Sequence, residues 1–443
     1  MMRSMYSGVA GLRNHQTRMD VIGNNIANVN TAGYKKSRVV FQDTLYQNMR
    51  GGSSPTDARG GTNPMSIGLG MSVASIDQIH TPAPATSTNK TTDLAIDGNG
   101  FFIVDNGGQK FYTRAGNFDF DKFGNMYSLA NGYRVHGWTA DDNWEIDTVK
   151  ASQPIDISEF KSVSPQATTE MKFSGNLSSD IKMQEGYSET DFELDENQLV
   201  ITSKEVYDSL GNKEIVYFRF FKYEVDDTSG DPISKWACDI SLDSEFSDTP
   251  AIIGVDPIVD ESVVRVEDLI FNANGVLDSS ILQDLVIDRS AHGAENIELD
   301  IDFSSLTQWE TKSTAWAEHQ NGYTMGNLTS YTIGIDGVIQ GVYDNGEARN
   351  LARVALVNFQ NPAGLIQAGG SLFQVSNNSG DPMVGAPGDQ GMGALIPGSL
   401  EMSNVDLSEE FTDMIITQRG FQANSRIITT SDEMLQELVN LKR

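Results

Sequence analysis

Both ends of this 443-residue chain carry an apolar stripe of seven-residue period, and the sequence between them is of β type. Near the N-terminus Met5, Leu12, Met19 and Ile26 recur every seven residues within 4–29, with Val9, Ile22 and Val29 at neighbouring positions of the stripe. Near the C-terminus Leu407, Met414, Phe421, Ile428 and Leu435 repeat the pattern, widened by Phe411, Ile415, Ile427, Met434, Leu438 and Leu441. A strict seven-residue repeat is the narrow seam of a coiled coil, not the broad face of a globular helix. The two segments predict helices of roughly 39 Å and 50 Å. Asp406 followed by Glu409 predicts a capping box. Asn28, Asn30 and Gly33 end the first helix, because Asn and Gly tolerate the left-handed cap. Each end read alone is an ordinary surface helix; two seams flanking β-type sequence favour pairing of the termini.

Between the stripes the signals are strands and turns. Residues 94–104 read strand, turn, strand, and 111–135 alternate aromatic and polar residues around glycines as a meander does. Residues 214–225, 331–343 (with a turn at Asp336-Gly337) and 351–359 are further strand candidates. The stretch Gly51–Pro64, rich in Gly, Ser, Thr and Pro, reads as an extended linker, and a second loose stretch runs from Ser376 to Gly398. The resulting fold class is mainly β with α-helical termini, the helices pairing as a coiled coil around nested, discontinuous β-rich domains. The expected division is 1–32 with 403–443 as the terminal helical domain, and 33–74 with 376–402 as extended linker segments. Residues 75–150 with 321–375 form an inner β domain, and 151–320 an outer acidic β domain.

Charge is distributed unevenly. The chain carries −30 overall, yet residues 1–50 hold seven basic and two acidic residues while 151–320 hold 11 basic and 35 acidic, a net −24. A solvated middle and packed ends fit this. The acidic balance argues against nucleic acid and against an anionic membrane surface as partners. No stretch reaches the ~18 apolar residues of a membrane span. The N-terminus lacks the apolar core of a cleaved secretory signal, which leaves the cytoplasm or an export route without cleavage.

The residues offer little chemistry. The single cysteine, Cys238, excludes an intrachain disulfide and a Cys-based zinc site, and its strand-like surroundings (236–240) suggest a buried small residue. His15, His80, His136, His292 and His319 form no zinc-binding spacing. Asp119–Gly124 begins like a calcium loop but has Phe123 within it and no closing Glu, so a hairpin turn is expected. No phosphate-binding loop or nucleophile elbow occurs. The expectation is therefore no enzyme, no cofactor, no metal and no catalytic residue. The Asn-rich run Gly23–Thr31 has two readings: amides making lateral contacts where helices from several chains meet, or a fraying helix end.

Met5-Tyr6-Ser7-Gly8-Val9-Ala10-Gly11-Leu12 followed by 19–35, and 403–411 followed by 417–426, resemble the two terminal signatures of bacterial flagellar rod and hook proteins. Asp97–Phe102 and Tyr112–Phe118 are similar to segments shared across that family; Tyr343–Gly346, Val354–Leu356 and Phe359–Leu365 resemble its hook-type members. The resemblance implies a structural subunit that polymerises helically into a flexible hollow tube, a universal joint passing motor torque to the filament. A distal rod protein is the alternative. Implied partners are further copies of the chain, rod proteins, the hook cap, hook-filament junction proteins and the flagellar type III export apparatus. The implied location is the extracellular hook of the flagellum. Under this reading Leu12, Met19, Ile22, Ile26, Leu407, Met414, Phe421, Ile428 and Leu435 form the polymerisation seam. Phe41-Gln42-Asp43-Thr44-Leu45 resembles a short export signal, with Phe41 and Leu45 as its apolar pair; a buried amphipathic turn is the competing reading.

Overall fold

Helix α1 (Met2–Ala27) and helix α2 (Leu407–Asn440) are the only long helices among the described residues of the computed structural model. The structure describes residues 2–441 except 56, 58, 185–197, 227–232, 245, 247–250, 253–262, 278–280, 291–292 and 390, so His292 lies outside the described residues. Past Ala27 helix α1 gives way to turns: the Asn28 amide is shared between the Asn24 and Asn25 carbonyls, the Val29 and Thr31 amides reach back only three residues, and Gly33 takes φ +68°. Helix α2 starts at Asp406, whose carboxylate accepts the amides of Ser408 and Glu409. The expected capping box is only half made: the Glu409 carboxylate bonds Lys36 Nζ at 2.7 Å.

The chain divides into two compact units. The first comprises 1–159, 330–342 and 348–443. After α1 the chain enters strand β1 (Ser37–Asp43), which pairs antiparallel with β4 (Met71–Gln78); between them β2 (Tyr46–Arg50) pairs with β3 (Met65–Gly68), and Ser53 bridges Thr62. The described parts of 51–64 thus continue a long hairpin through the Ser53–Thr62 bridge, a correction to the linker expected there. Turn-forming composition suits both, and only the pairing of 46–50 with 65–68 separates them.

Beyond the hairpin the same unit holds a sheet in the order Ala348–Val354, Arg134–Thr139, Phe101–Asn106, Gln109–Thr113, Leu372–Gln374, Ile366–Gly369. Its core is aromatic. Phe101, Tyr112, Phe359 and Phe373 are buried, with Tyr112 edge-on to Phe359 at 4.9 Å and Phe101 edge-on to Phe373 at 5.6 Å. The 119–124 segment is a hairpin turn, as its sequence predicts: the Asp121 carboxylate accepts the amides of Phe123, Gly124 and Asn125.

The second unit comprises 160–329 with 343–347. A four-stranded sheet runs Ile281–Ile287, Ile297–Trp309, Glu170–Ser178, Trp316–Gln320; a five-stranded sheet runs Val200–Tyr207, Lys213–Asp226, Ile233–Ser241, Val263–Phe271, Ala251–Ile252. Ile297–Trp309 buries Ile297, Leu299, Ile301 and Phe303 and turns the intervening residues outward, the period-two signature of a strand with one covered face. One apolar cluster draws on both sheets, including Phe173, Phe218, Phe220, Trp236 and Phe303. Cys238 lies within it, wholly buried, and burial raises its thiol pKa well above the ordinary value. Asp239, also buried, holds Arg219 at 2.6 Å and Arg265 at 2.6 Å.

Candidate assembly site on the terminal helices

Helices α1 and α2 pack antiparallel: Gly8 faces Ile428, Gly11 faces Asn424, His15 faces Gly420, Arg18 faces Asp413 and Asn25 faces Glu410. The contact line is small and polar. On α1 the buried residues are Gly8, Gly11, Ile22 and Asn25; on α2 they include Glu410, Thr417 and Ser431. The backbones are close enough that a Cβ on Gly11 would stand 2.7 Å from Asn424 Oδ1, and one on Gly420 would stand 2.8 Å from the His15 ring. Arg18 Nη2 meets Asp413 Oδ2 at 2.8 Å, a part-exposed pair. Burial pushes the Glu410 carboxyl pKa up, against the Asn25 hydrogen bond and the Lys36 charge, and burial beside Arg18 lowers that of His15.

The apolar seam expected between the helices contributes Ile22 and Ile428 to the line on which α1 meets α2, but small and polar residues fill most of that line. Of its residues only Ile22 is buried; Leu12, Met19, Ile26, Met414, Phe421, Ile428 and Leu435 are half-buried, and Leu407 is exposed. The physical reason is azimuth. Gly11, Arg18 and Asn25 are also spaced by seven, as are Glu410, Thr417, Asn424 and Ser431. A seven-residue period is satisfied equally by either line, and small residues let the polar one approach more closely. That second repeat was the available signal, hidden because apolar residues were counted alone.

The Asn-rich run finds its partners within the chain. Asn25 Nδ2 donates to the Ser37 carbonyl at 2.9 Å and to Glu410 Oε1 at 3.2 Å, while its Oδ1 accepts from the Ser37 amide and the Tyr34 hydroxyl. Asn28 Nδ2 donates to the Asn24 carbonyl and side chain. These bonds tie α1 to α2 and β1, so the run is neither a frayed end nor free for lateral contact through Asn25. Phe41 sits on β1, half-buried and edge-on to His15 at 6.0 Å, whereas Leu45 between β1 and β2 is exposed. The pair therefore does not form the buried turn weighed for it: Phe41 lies on a strand and Leu45 in the exposed connection beyond it.

A buried ionic cluster anchors the helix ends. Lys35 Nζ lies 2.6 Å from Glu401 Oε1 and donates to the Thr81 carbonyl; Arg114 Nη1 lies 3.3 Å from Glu401 Oε2 and Nη2 donates to the Gly98 carbonyl. The Ala83 amide also donates to Glu401, and the Arg114 guanidinium stands 5.2 Å from the Phe101 ring centroid. Two cations thus share one carboxylate out of water. Burial lowers the pKa of both Lys35 and Arg114 against the pull of Glu401. His80 is edge-on to Phe101 and Phe373, both ring nitrogens buried without a hydrogen-bond partner. Burial, then the charges of Lys35 and Arg114, bring its pKa down to about 4. Sequence reasoning gave none of these four residues a role.

Four family models match in chain order. "Flagella basal body rod protein" covers 5–35, "Flagellar hook protein FlgE/F/G D1 domain" 95–176, "Flagellar basal body protein FlaE D2 domain" 176–323, and "Flagellar basal body rod FlgEFG protein C-terminal" 396–441. The chain is 42% identical to the flagellar hook protein FlgE of Borreliella burgdorferi and 38% identical to that of Treponema pallidum, covering 100% of both chains in each comparison. It is also 32% identical, again over 100% of both chains, to the flagellar basal-body rod protein FlgG of Bacillus subtilis.

Proposed function

The chain belongs to the flagellar hook protein family and is a structural subunit of the bacterial flagellar hook, and from that premise we propose that its copies polymerise through the apolar residues its terminal helices leave uncovered. The observation that carries this is the polar helix–helix line. It closes α1 on α2 while leaving much of the apolar repeat on their flanks, and an exposed apolar surface of that kind marks an interaction site. Contacts between copies are head-to-tail and do not close into a ring, so they propagate a tube. The tube bends while passing torque, with its outer acidic unit in solvent. Its ends meet rod proteins, the hook cap and the hook-filament junction proteins. Electron microscopy of the purified protein tests this: the full chain forms tubes, and a chain without 1–32 and 403–443 stays monomeric. Tubes from the shortened chain would overturn the proposal.

The subunit travels without a cleaved signal through the flagellar type III export apparatus, with Phe41 and Leu45 as the recognised pair. Leu45 is solvent-exposed and Phe41 is only half-covered in the folded chain. Replacing Phe41 by Ala lowers secretion with cellular levels unchanged; unaltered secretion removes this assignment. The rod-protein relative supports a distal rod role, less strongly than the two more similar hook proteins support the hook. A deletion strain with rods but no hooks agrees with the hook assignment.

A further inference from the structure

The four-stranded sheet of the second unit keeps one face on the apolar core, and its other face carries a groove. Along Glu170–Ser178 the residues Met171 and Phe173 are buried in that core, whereas Glu170 and Lys172 are exposed. Register brings their neighbours to the same face: Glu170 lies beside Asp300, and Lys172 lies between Asp302 on one strand and His319 on the other. These side chains line a groove of about 350 Å³. Its walls are held in place. Asn321 Oδ1 accepts the Thr169 and Glu170 amides at 2.9 and 3.0 Å, and Asp302 accepts the Ser304 amide at 2.8 Å. The next outward residue of Trp316–Gln320 is Trp316 itself, paired with Ser174 and 52% exposed. Ser174 stands two residues from Lys172, roughly 7 Å along the strand, so the indole borders the groove.

We propose that this groove binds a short oligosaccharide carrying free amino groups. Donors and acceptors are mixed along it: the Lys172 ammonium and the His319 ring stand among the Glu170, Asp300 and Asp302 carboxylates. A sugar hydroxyl both gives and accepts a hydrogen bond, so it pairs with either kind. The half-exposed indole offers an apolar plate for the C–H face of a pyranose ring, beside polar groups that fix its orientation. Charge then selects among sugars. Three carboxylates face one ammonium, which lies 3.8 Å from Asp302 and offsets one of them. The remaining negative charge favours ammonium-bearing sugars and disfavours acidic ones. The site belongs to the second unit alone and does not depend on how copies assemble.

Calorimetric titration of the full-length protein tests the assignment, with a protonated glucosamine trisaccharide, its N-acetylated counterpart and spermidine as probes. The glucosamine trimer binds, and the N-acetylated trimer binds several-fold more weakly. Trp316→Ala weakens both by about tenfold, and Trp316→Phe recovers part of the loss. Glu170→Gln with Asp300→Asn erases the preference for the amine. Trp309→Ala is the control: that indole is equally exposed on the same sheet but pairs with Ser178, roughly 13 Å beyond Ser174, and its removal leaves binding unchanged. The exchanged side chains are exposed, and circular dichroism checks that each variant is folded. No binding of the glucosamine trimer, or equal losses from Trp309→Ala and Trp316→Ala, overturns the site. Equal affinity for the two trimers overturns the selection of amines. Spermidine has the charges without the rings, so spermidine binding as tightly as the trimer shows attraction by net charge alone and overturns the sugar assignment.

Discussion

Acid should loosen the first unit through His80. Its ordinary pKa is 6.5 and the folded environment lowers it to about 4, chiefly by burial and then by Lys35 and Arg114; the Pro362 carbonyl opposes the shift without making a full hydrogen bond. A group whose pKa falls on folding contributes stability that is fully present above its unfolded pKa and disappears as pH drops through the folded one. His80 therefore stabilises the unit fully above pH 6.5, and that contribution is withdrawn between 6.5 and about 4. At about 1.4 kcal/mol per pKa unit the loss is about 3 kcal/mol. Replacing His80 by Phe keeps a ring beside Phe101 and Phe373 but cannot take a proton. Urea unfolding of both proteins, followed by amide exchange in 101–113, gives their stability difference at each pH. Carboxylates titrate in both proteins and cancel. The difference should move by about 3 kcal/mol in favour of the variant on acidification. A pH-independent difference would refute the claim that His80 is held neutral among fixed cations.

Three further outcomes follow from the same contacts. Replacing Glu401 by Gln strands Lys35 and Arg114 without their carboxylate and should cost about 3–5 kcal/mol in urea unfolding; adding Lys35→Met should restore part of it. Replacing Gly420 by Leu drives a side chain into the His15 ring, so α1 and α2 should lose amide protection while the core strands at 101–106 and 297–309 keep theirs. Cys238 should react with iodoacetamide only as fast as the second unit unfolds, because burial keeps its thiol protonated and out of reach; rapid labelling in native buffer would contradict its position.

Periodicity was legible in the sequence, and direction was not. The strand expected at 214–225 is found at Lys213–Asp226, and both terminal helices form where the stripes put them. Those features depend on neighbours a few residues apart, which local spacing records. The face on which α1 meets α2 depends instead on how closely two backbones can approach, a property of Gly8, Gly11 and Gly420 rather than of the larger apolar residues. Glu409 illustrates the same limit: the cap at Asp406 is local and forms, while the Glu409 carboxylate bonds Lys36 from the other end of the chain. The ionic cluster was out of reach for a stronger version of this reason, since Lys35 and Glu401 are 366 positions apart.

That separation bears on the order in which the chain can mature. Any process that delivers the polypeptide from its beginning supplies Lys35 and Arg114 early and their shared counter-ion almost last. Until residue 401 arrives, drying out this junction would strand two positive charges, so the region has to stay open and hydrated. A prematurely stopped chain could never seal it. The lone carboxylate thereby ties closure of a junction built by the first part of the chain to a residue from its last part.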